Sequence, residues 1–577
     1  MKKLKTSLVL LVASPALCSA AGNITGAVEG IDKGNQGGLT IRGWACEGDS
    51  DRALDVRATF GKPAGQGVAL LSGHANERSD GAPPAQCMKG GAGHAFRIAM
   101  SPRDAIRFAG RKVYVYGIAS ADDKSGNAEL AGSGTFTVPD VAYTNVNCAD
   151  WNGVVDRNIR LQPANCHIAK QVVFSAPNLS LDCNSATIDG KGVQTDPDGK
   201  GQGIGVASSQ SVCRASERNG NQSRVSDADA SGAVISNCKI TNFKFGVFFE
   251  RHLWTKPNPS ASNCMAFGEF SAKSPQHLGP ADVDQALGGR DKRYDFATSD
   301  VTLRNVEVSN IAADGIFVNE YARNWLIEDA NVHDNGNGIY LERESRGTRV
   351  ITSGVARNHN VGIAIDSSAN NLLERNVVEG NGAIGIALYK NCGEGGGVTR
   401  YQHSDNNLIV NNTIRNQKGA GPKDMTLTQA ELNTEAGNKG PNSLGVGVWI
   451  ASRQGLSSSF MRQVYSKTPL ACSDPGRDIQ GQTYFPDFAS GNQVTQNTIT
   501  GNSLAQVIVE DDNNTVARND MVGGDAPAAA NIVVGSVFRK DDARGPVKNV
   551  QLQDNKLPDS GTRKSVVYLG GSAPANN

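Results

Sequence analysis

The residues best suited to do chemistry in this chain are Tyr340, Glu342, Arg343, Asp366, Tyr389 and Lys390. Two carboxylates held side by side repel, so one pKa rises and the pair suits general acid–base work. A Lys or Arg beside a substrate carboxylate stabilises a carbanion, while a Tyr or Lys moves the proton. The competing reading is a salt-bridged ladder of Glu342, Arg343, Asp366 and Lys390 in which no proton moves. His333 and His359 titrate near neutrality, but they sit in VHDN and RNHN, which read as corners. Glu510, Asp511 and Asp512 suit a hard cation such as Ca2+, and EDDNN equally reads as a polar turn. No other metal ligand set stands out.

What must position these residues is a repeat. Six segments align: GVFFER (246–251), GIFVNE (315–320), GIYLER (338–343), GIAIDS (362–367), GIALYK (385–390) and GVWIAS (447–452). The glycines at 315, 338, 362 and 385 are spaced by 23, 24 and 23 residues. Between them runs a second phrase of Asn and apolar residues, as in WLIEDANVHDN, NLLERNVVEGN and NLIVNNTIRN. Each unit is too short for a strand–helix–strand element and has no helical period. It fits one coil of a parallel β-helix, with a rise of about 4.8 Å per coil. Recurrent corner Asn predicts a stacked amide ladder that also tolerates the left-handed turn.

Alternation along GIxxx sends the second and fourth residues inward: Val247 and Phe249, Ile316 and Val318, Ile339 and Leu341, Ile363 and Ile365, Ile386 and Leu388, Val448 and Ile450. The outward column at the third position reads Phe248, Phe317, Tyr340, Ala364, Ala387, Trp449. The fifth reads Glu250, Asn319, Glu342, Asp366, Tyr389, Ala451. The sixth reads Arg251, Glu320, Arg343, Ser367, Lys390, Ser452. A plain solvated face rarely exposes so many aromatics. Long insertions follow GVFFER, GIALYK (391–405) and GVWIAS (453–491), all at one corner of the coil. They predict a wall beside the sheet, and so a groove. Glu250, Phe317, Asn319, Glu320, Trp449 and Arg453 are the candidate substrate-binding residues there, and Cys392 with Cys472 would tie two of the loops together.

Composition bounds the rest. The chain has 577 residues, zero formal net charge, 66 glycines and 6% aromatics. That charge gives no general attraction to nucleic acid. Residues 1–21, with Lys2, Lys3 and Lys5 ahead of an apolar run from Leu8 to Leu17, read as a signal peptide. A lipid anchor on Cys18 is disfavoured because Leu17 precedes it. No later stretch is long enough to span a membrane, so export to the periplasm or the extracellular space is expected. Ten of the 11 cysteines remain after that cleavage, an even number that favours disulfides. Cys46–Cys87 and Cys148–Cys166 are the pairs expected first. Residues 22–140 read as short alternating strands (LTIRGWAC, LDVRATF, HAFRIAM, KVYVYGIAS) of a small antiparallel β-sandwich-like domain. Residues 141–577 form the second domain. The fold class is therefore all-β, a right-handed parallel β-helix behind a sandwich.

The repeat over about residues 142–570, with NLSLDCNSATIDGKG as its entry coil, resembles the pectate-lyase-like superfamily of parallel β-helices. That superfamily holds polysaccharide lyases, mannuronan epimerases, pectinase-type glycosidases and phage tailspikes. The resemblance implies an enzyme that modifies a polysaccharide, by lyase or epimerase chemistry on a uronate-containing glycan. The alternatives it leaves are hydrolysis by the carboxylate pair and non-catalytic glycan binding. DPHD and the GHG of the glycosidases are absent, and where pectate lyases carry VWIDH this chain has VWIAS, so no catalytic residue transfers. GWAC with a second cysteine before HAFRI is similar to accessory modules of exported bacterial proteins, which often bind carbohydrate. Trp44 reads as core over the Cys46–Cys87 bridge; the other reading has Trp44 or Tyr114 stack on a sugar ring.

Overall fold

The computed structural model describes residues 24–34, 38–47, 53–63, 68–77, 87, 93–119, 127–191, 204–208, 230–249, 293–318, 321–342, 344–390, 402–418, 445–451, 477–479, 482–484, 489–522, 530–535, 545–558 and 564–574. Residues 1–23, Glu250, Asn319, Glu320, Arg343, Arg453, Cys392 and Cys472 lie outside the described residues. The chain divides into two compact units, residues 1–141 and 142–577.

In the second unit each repeat makes three short strands. The phrase NLLERNVVEGN yields Leu372–Glu374 and Val377–Glu379, and GIALYK yields most of Ile384–Tyr389. Like strands of successive coils pair in parallel, giving, among the described residues, three sheets of 12, 9 and 12 strands. The unit is a right-handed parallel β-helix. Coil pairing stacks Val318, Leu341, Ile365, Leu388, Ile450 and Val509 in one interior row, and every member is fully buried. The other two sheets send in matching rows, such as Ile327, Val350 and Leu373 or Val332, Val355 and Val378. All belong to one continuous apolar core, and hydrophobic burial is what drives the coil shut.

The corners divide between two residues the work that sequence alone assigns to one. Arg375, Asn411, Gln496 and Arg518 take the left-handed conformation (φ 54 to 58°). The next residue in each case, Asn376, Asn412, Asn497 and Asn519, turns its amide inward. Each of these donates from Nδ2 to the Oδ1 of its neighbour one coil on, at 2.9–3.0 Å. Parallel ladders run through Asn335–Asn358–Asn381–Gln417 and Asn371–Asn407–Asn492–Asn514. Buried amides stay satisfied only because each coil supplies the next, as buried polar groups require.

The repeated glycine follows from this packing. A Cβ on Gly315 would stand 2.9 Å from both Val332 Cγ1 and Asn335 Nδ2; one on Gly338 would stand 2.7 Å from Val355 Cγ1. The glycine therefore faces inward beside the ladder, and the inward isoleucine follows it directly. The residue before the glycine is thrown to the outer side.

That outer side differs from the exposed face expected. Ala364, Ala387, Ile508 and Val533 are buried in a second apolar cluster with Val361, Ile384 and Val446. Tyr340, Tyr389 and Trp449, each half-buried, pack against it. Rings flanking alanines in the same column close over them.

The first unit pairs a three-stranded antiparallel sheet (Ile24–Lys33, Leu39–Glu47, Ala95–Met100) with a four-stranded one that includes Leu54–Phe60 and Val113–Ile118. Ile41, Phe96, Ile98, Val56, Phe60 and Val115 fill the space between them. Cys46 pairs with Cys87 and Cys148 with Cys166. Cys183 pairs with Cys238, which spacing did not reveal. Trp44 is half-buried rather than fully core, and it shares a face with Arg42 and with the buried Cys46 of the bridge, opposite to Ile41 and Ala45. Among the described residues, no helix is long and apolar enough to cross a membrane.

Candidate functional site

The site residues converge on the outer side of the third sheet, where neighbouring coils carry Asp314–Val318, Asn337–Leu341, Val361–Asp366 and Ile384–Tyr389. Phe317 pairs with Tyr340, which pairs with Ala364. Asp366 pairs with Tyr389. The Phe248, Phe317 and Tyr340 rings follow one another along the column, with centroids 4.8 and 5.6 Å apart, and Trp449 continues it beyond Ala387.

Three side chains form a hydroxyl relay. Tyr340 Oη donates to Asp366 Oδ2 at 2.9 Å and lies 2.8 Å from Tyr389 Oη. A phenol has one hydrogen, and that of Tyr340 goes to the carboxylate, so Tyr389 must donate to Tyr340. Ser367 Oγ donates to Asp366 Oδ1. Asp366 is fully buried, which corrects the expectation of an exposed carboxylate: Tyr340 and Ser367 cover it. The strand ends are braced from behind. Ser404 Oγ bonds the carbonyls of Tyr389 and Ile365, and Gln402 Nε2 bonds those of Ser345 and Ser367.

Asp314, which sequence reasoning missed, joins the group. It precedes Gly315 and so lies outward, in a column where later coils place Val361, Ile384 and Val446. Burial pushes its carboxyl up to about 7; the Asn337 amide that donates to it at 2.8 Å opposes the rise, and the charge of Glu342 adds to it. Glu342 is itself buried. The available signal was the pair Asp314 and Asn337 in a column that on the next three coils holds Val361, Ile384 and Val446.

Lys390 does not join. It is fully buried just past the strand's last residue, Tyr389, and its charge acts on Asp405. Burial raises the Asp405 carboxyl to about 6, with the Ser490 backbone N–H and Lys390 opposing and Asp511 adding to it. This is a buried charge cluster and corrects the reading of Lys390 as a cation facing substrate. Asp511 Oδ2 and Oδ1 accept from the backbone of Ala489 and Asp512, and Asp512 Oδ1 from that of Lys548. Asp511 and Asp512 thus spend carboxylate oxygens on backbone hydrogen bonds. Among the described residues no three His, Cys, Asp or Glu side chains group to hold a metal. His333 corrects the corner reading, since it is the last residue of the strand Asn331–His333, while His359 lies outside the strands; His333 Nδ1 and the Arg357 guanidinium share Asp334, and Arg357 chiefly holds that carboxyl below its usual range.

A carboxyl with a raised pKa, two further acidic side chains and two phenols on neighbouring coils are groups that can give and take protons. Comparison with known proteins agrees on the class of fold. Residues 294–456 match the family described as "Right handed beta helix region"; the chain is a parallel β-helix protein. Solved structures similar to it include the A-module of the mannuronan C-5 epimerase AlgE4 of Azotobacter vinelandii, at 13% identity over 67% of this chain and 86% of that one, TM-score 0.30. Another is the catalytic unit of the GH87 alpha-1,3-glucanase of Streptomyces thermodiastaticus strain HF3-3, at 12% over 94% and 96%, TM-score 0.36. A third is the alginate lyase of Paenibacillus sp. str. FPU-7, at 10% over 75% and 99%, TM-score 0.27. No curated protein matches the chain.

Proposed function

We propose that this chain is an exported enzyme that modifies a polysaccharide by proton transfer on the outer side of its third sheet. The observation that carries the reading is Asp314, a carboxyl with a pKa of about 7 under the influence of the neighbouring Glu342 charge. A group of that pKa can hold a proton near neutrality and release it to a leaving oxygen, while a second carboxylate acts as base or nucleophile. Because Lys390 is fully buried and its charge acts on Asp405, the carboxyls favour glycoside hydrolysis over elimination. The Tyr389–Tyr340–Asp366 relay supports a second reading, lyase or epimerase chemistry on a uronate, with Tyr340 as the proton carrier. Phe317 and Trp449, half-buried at the flanks, offer ring faces to sugars. The disulfides fit export. The test is incubation with a panel of neutral and uronic-acid glycans. New reducing ends without ultraviolet absorbance mark hydrolysis, an unsaturated product marks elimination, and altered sugar stereochemistry without cleavage marks epimerisation. Binding with no product on any glycan would overturn the enzymatic reading.

A further inference from the structure

The first unit carries a sheet face that the chemistry above leaves unused. Its three-stranded sheet turns Val28, Gly43 and Phe96, then Ile31, Ile41 and Ile98, towards the four-stranded sheet. On the opposite face Trp44 pairs with Ala27 on one neighbour and Ala95 on the other. The indole thus stands between two methyl groups, half-buried, with no large side chain beside it along the row. The next row holds Arg42 and Arg97, directly paired. Arg42 is pinned by Glu29 at 3.1 Å and Asp32 at 2.9 Å, and Arg97 by Glu77 at 3.0 Å. Glu29 reaches Arg42 because the first strand shifts register between Val28 and Gly30.

We propose that this face is a binding site for a neutral glycan chain, with a sugar ring stacked on Trp44. The argument is chemical. An aromatic ring flanked by small residues accepts the apolar face of a pyranose, and fixed Arg–carboxylate pairs at its edge offer both donors and acceptors to vicinal hydroxyls. Charge selects the class. Two guanidiniums against three carboxylates give this face no positive excess, so an acidic polymer gains nothing from it, while an uncharged one loses nothing. The site is independent of the carboxyl cluster on the β-helix.

Affinity electrophoresis of the full chain through gels containing neutral or acidic glycans tests this, with the Asp366→Asn variant run beside the wild type. The expected result is retardation by at least one neutral glycan, reduced roughly tenfold in affinity by Trp44→Ala and largely kept by Trp44→Phe. Turnover of a soluble substrate should be unchanged in both Trp44 variants. Asp366→Asn should lose turnover and keep retardation, which separates failure of this site from failure of the catalytic reading. Retardation unaffected by Trp44→Ala overturns the proposal. So does retardation by acidic glycans alone, or none by any neutral glycan.

Discussion

Replacing Asp314 by Asn separates what the fold prefers from what the chemistry needs. In the folded chain the carboxyl has a pKa of about 7 against 3.8 ordinarily. Folding therefore binds a proton between those values, and stability must fall as pH rises through the interval. Below about pH 4 the group is neutral in both states and costs nothing. Above about pH 7 the full difference is lost, about 4 kcal/mol at about 1.4 kcal/mol per unit. An amide at position 314 cannot ionise and still accepts from Asn337, so the variant escapes that loss. Against wild type it should gain nothing at acid pH and up to about 4 kcal/mol in mild alkali. In a unit of this length that is a Tm rise of about 4 °C. Asp405 also titrates with a raised pKa, but it answers to Asp511 and Lys390 and cancels between the two proteins. If Asp314 supplies the proton, turnover falls about 100-fold or more in the same variant. Scanning calorimetry at both pH values, paired with product assays, checks both halves. A stability difference independent of pH, or a variant less stable than wild type in alkali, would refute the reasoning.

Other perturbations read other parts of the molecule. Asp366→Asn and Tyr340→Phe should each reduce turnover about 100-fold or more while shifting the Tm little, since both keep the side-chain volume; full activity in both would move the chemistry elsewhere. Ile365→Asp buries an unpaired charge in the interior row and should cost several kcal/mol, seen as early loss of circular dichroism on denaturation; melting like wild type would mean the stacking is wrong. Lys390→Met removes the cation that opposes the rise of the Asp405 pKa, so it should destabilise more at pH 8 than at pH 5. An unchanged Tm with lost activity would return Lys390 to the substrate.

The interior of the helix was legible because glycine spacing and paired apolar residues carry period and parity together. From GIYLER, GIAIDS and GIALYK alone, Leu341, Ile365 and Leu388 fall into one row. The site was legible only in part, for identifiable reasons. Tyr340, Glu342, Asp366 and Tyr389 obey strand parity and sit where parity puts them. Lys390 was misread because it follows the strand's last residue, Tyr389, and its burial near Asp405 is a contact that strand parity does not encode. Asp314 was invisible because it stands before the glycine, where inward Gly and Ile break simple alternation. The Asp366 burial depends on Tyr340 from the preceding coil, a contact no single strand encodes. Cys183 and Cys238 are 55 residues apart, too irregular an interval to reveal that they lie on adjacent coils.

The asparagine ladder shows how freely this architecture can be rewritten. The same amide-to-amide bond closes over 36 residues between Asn376 and Asn412, 85 between Asn412 and Asn497, 22 between Asn497 and Asn519, and 36 again to Asn555. Bond lengths along the ladder are alike whether the intervening chain is one bare coil or carries a long excursion. Coil-to-coil register is thus insulated from the length of what is spliced between coils. The chain between Tyr389 and Leu408, or between Ile450 and Gln493, can therefore change in length without renegotiating the frame that holds the carboxyls.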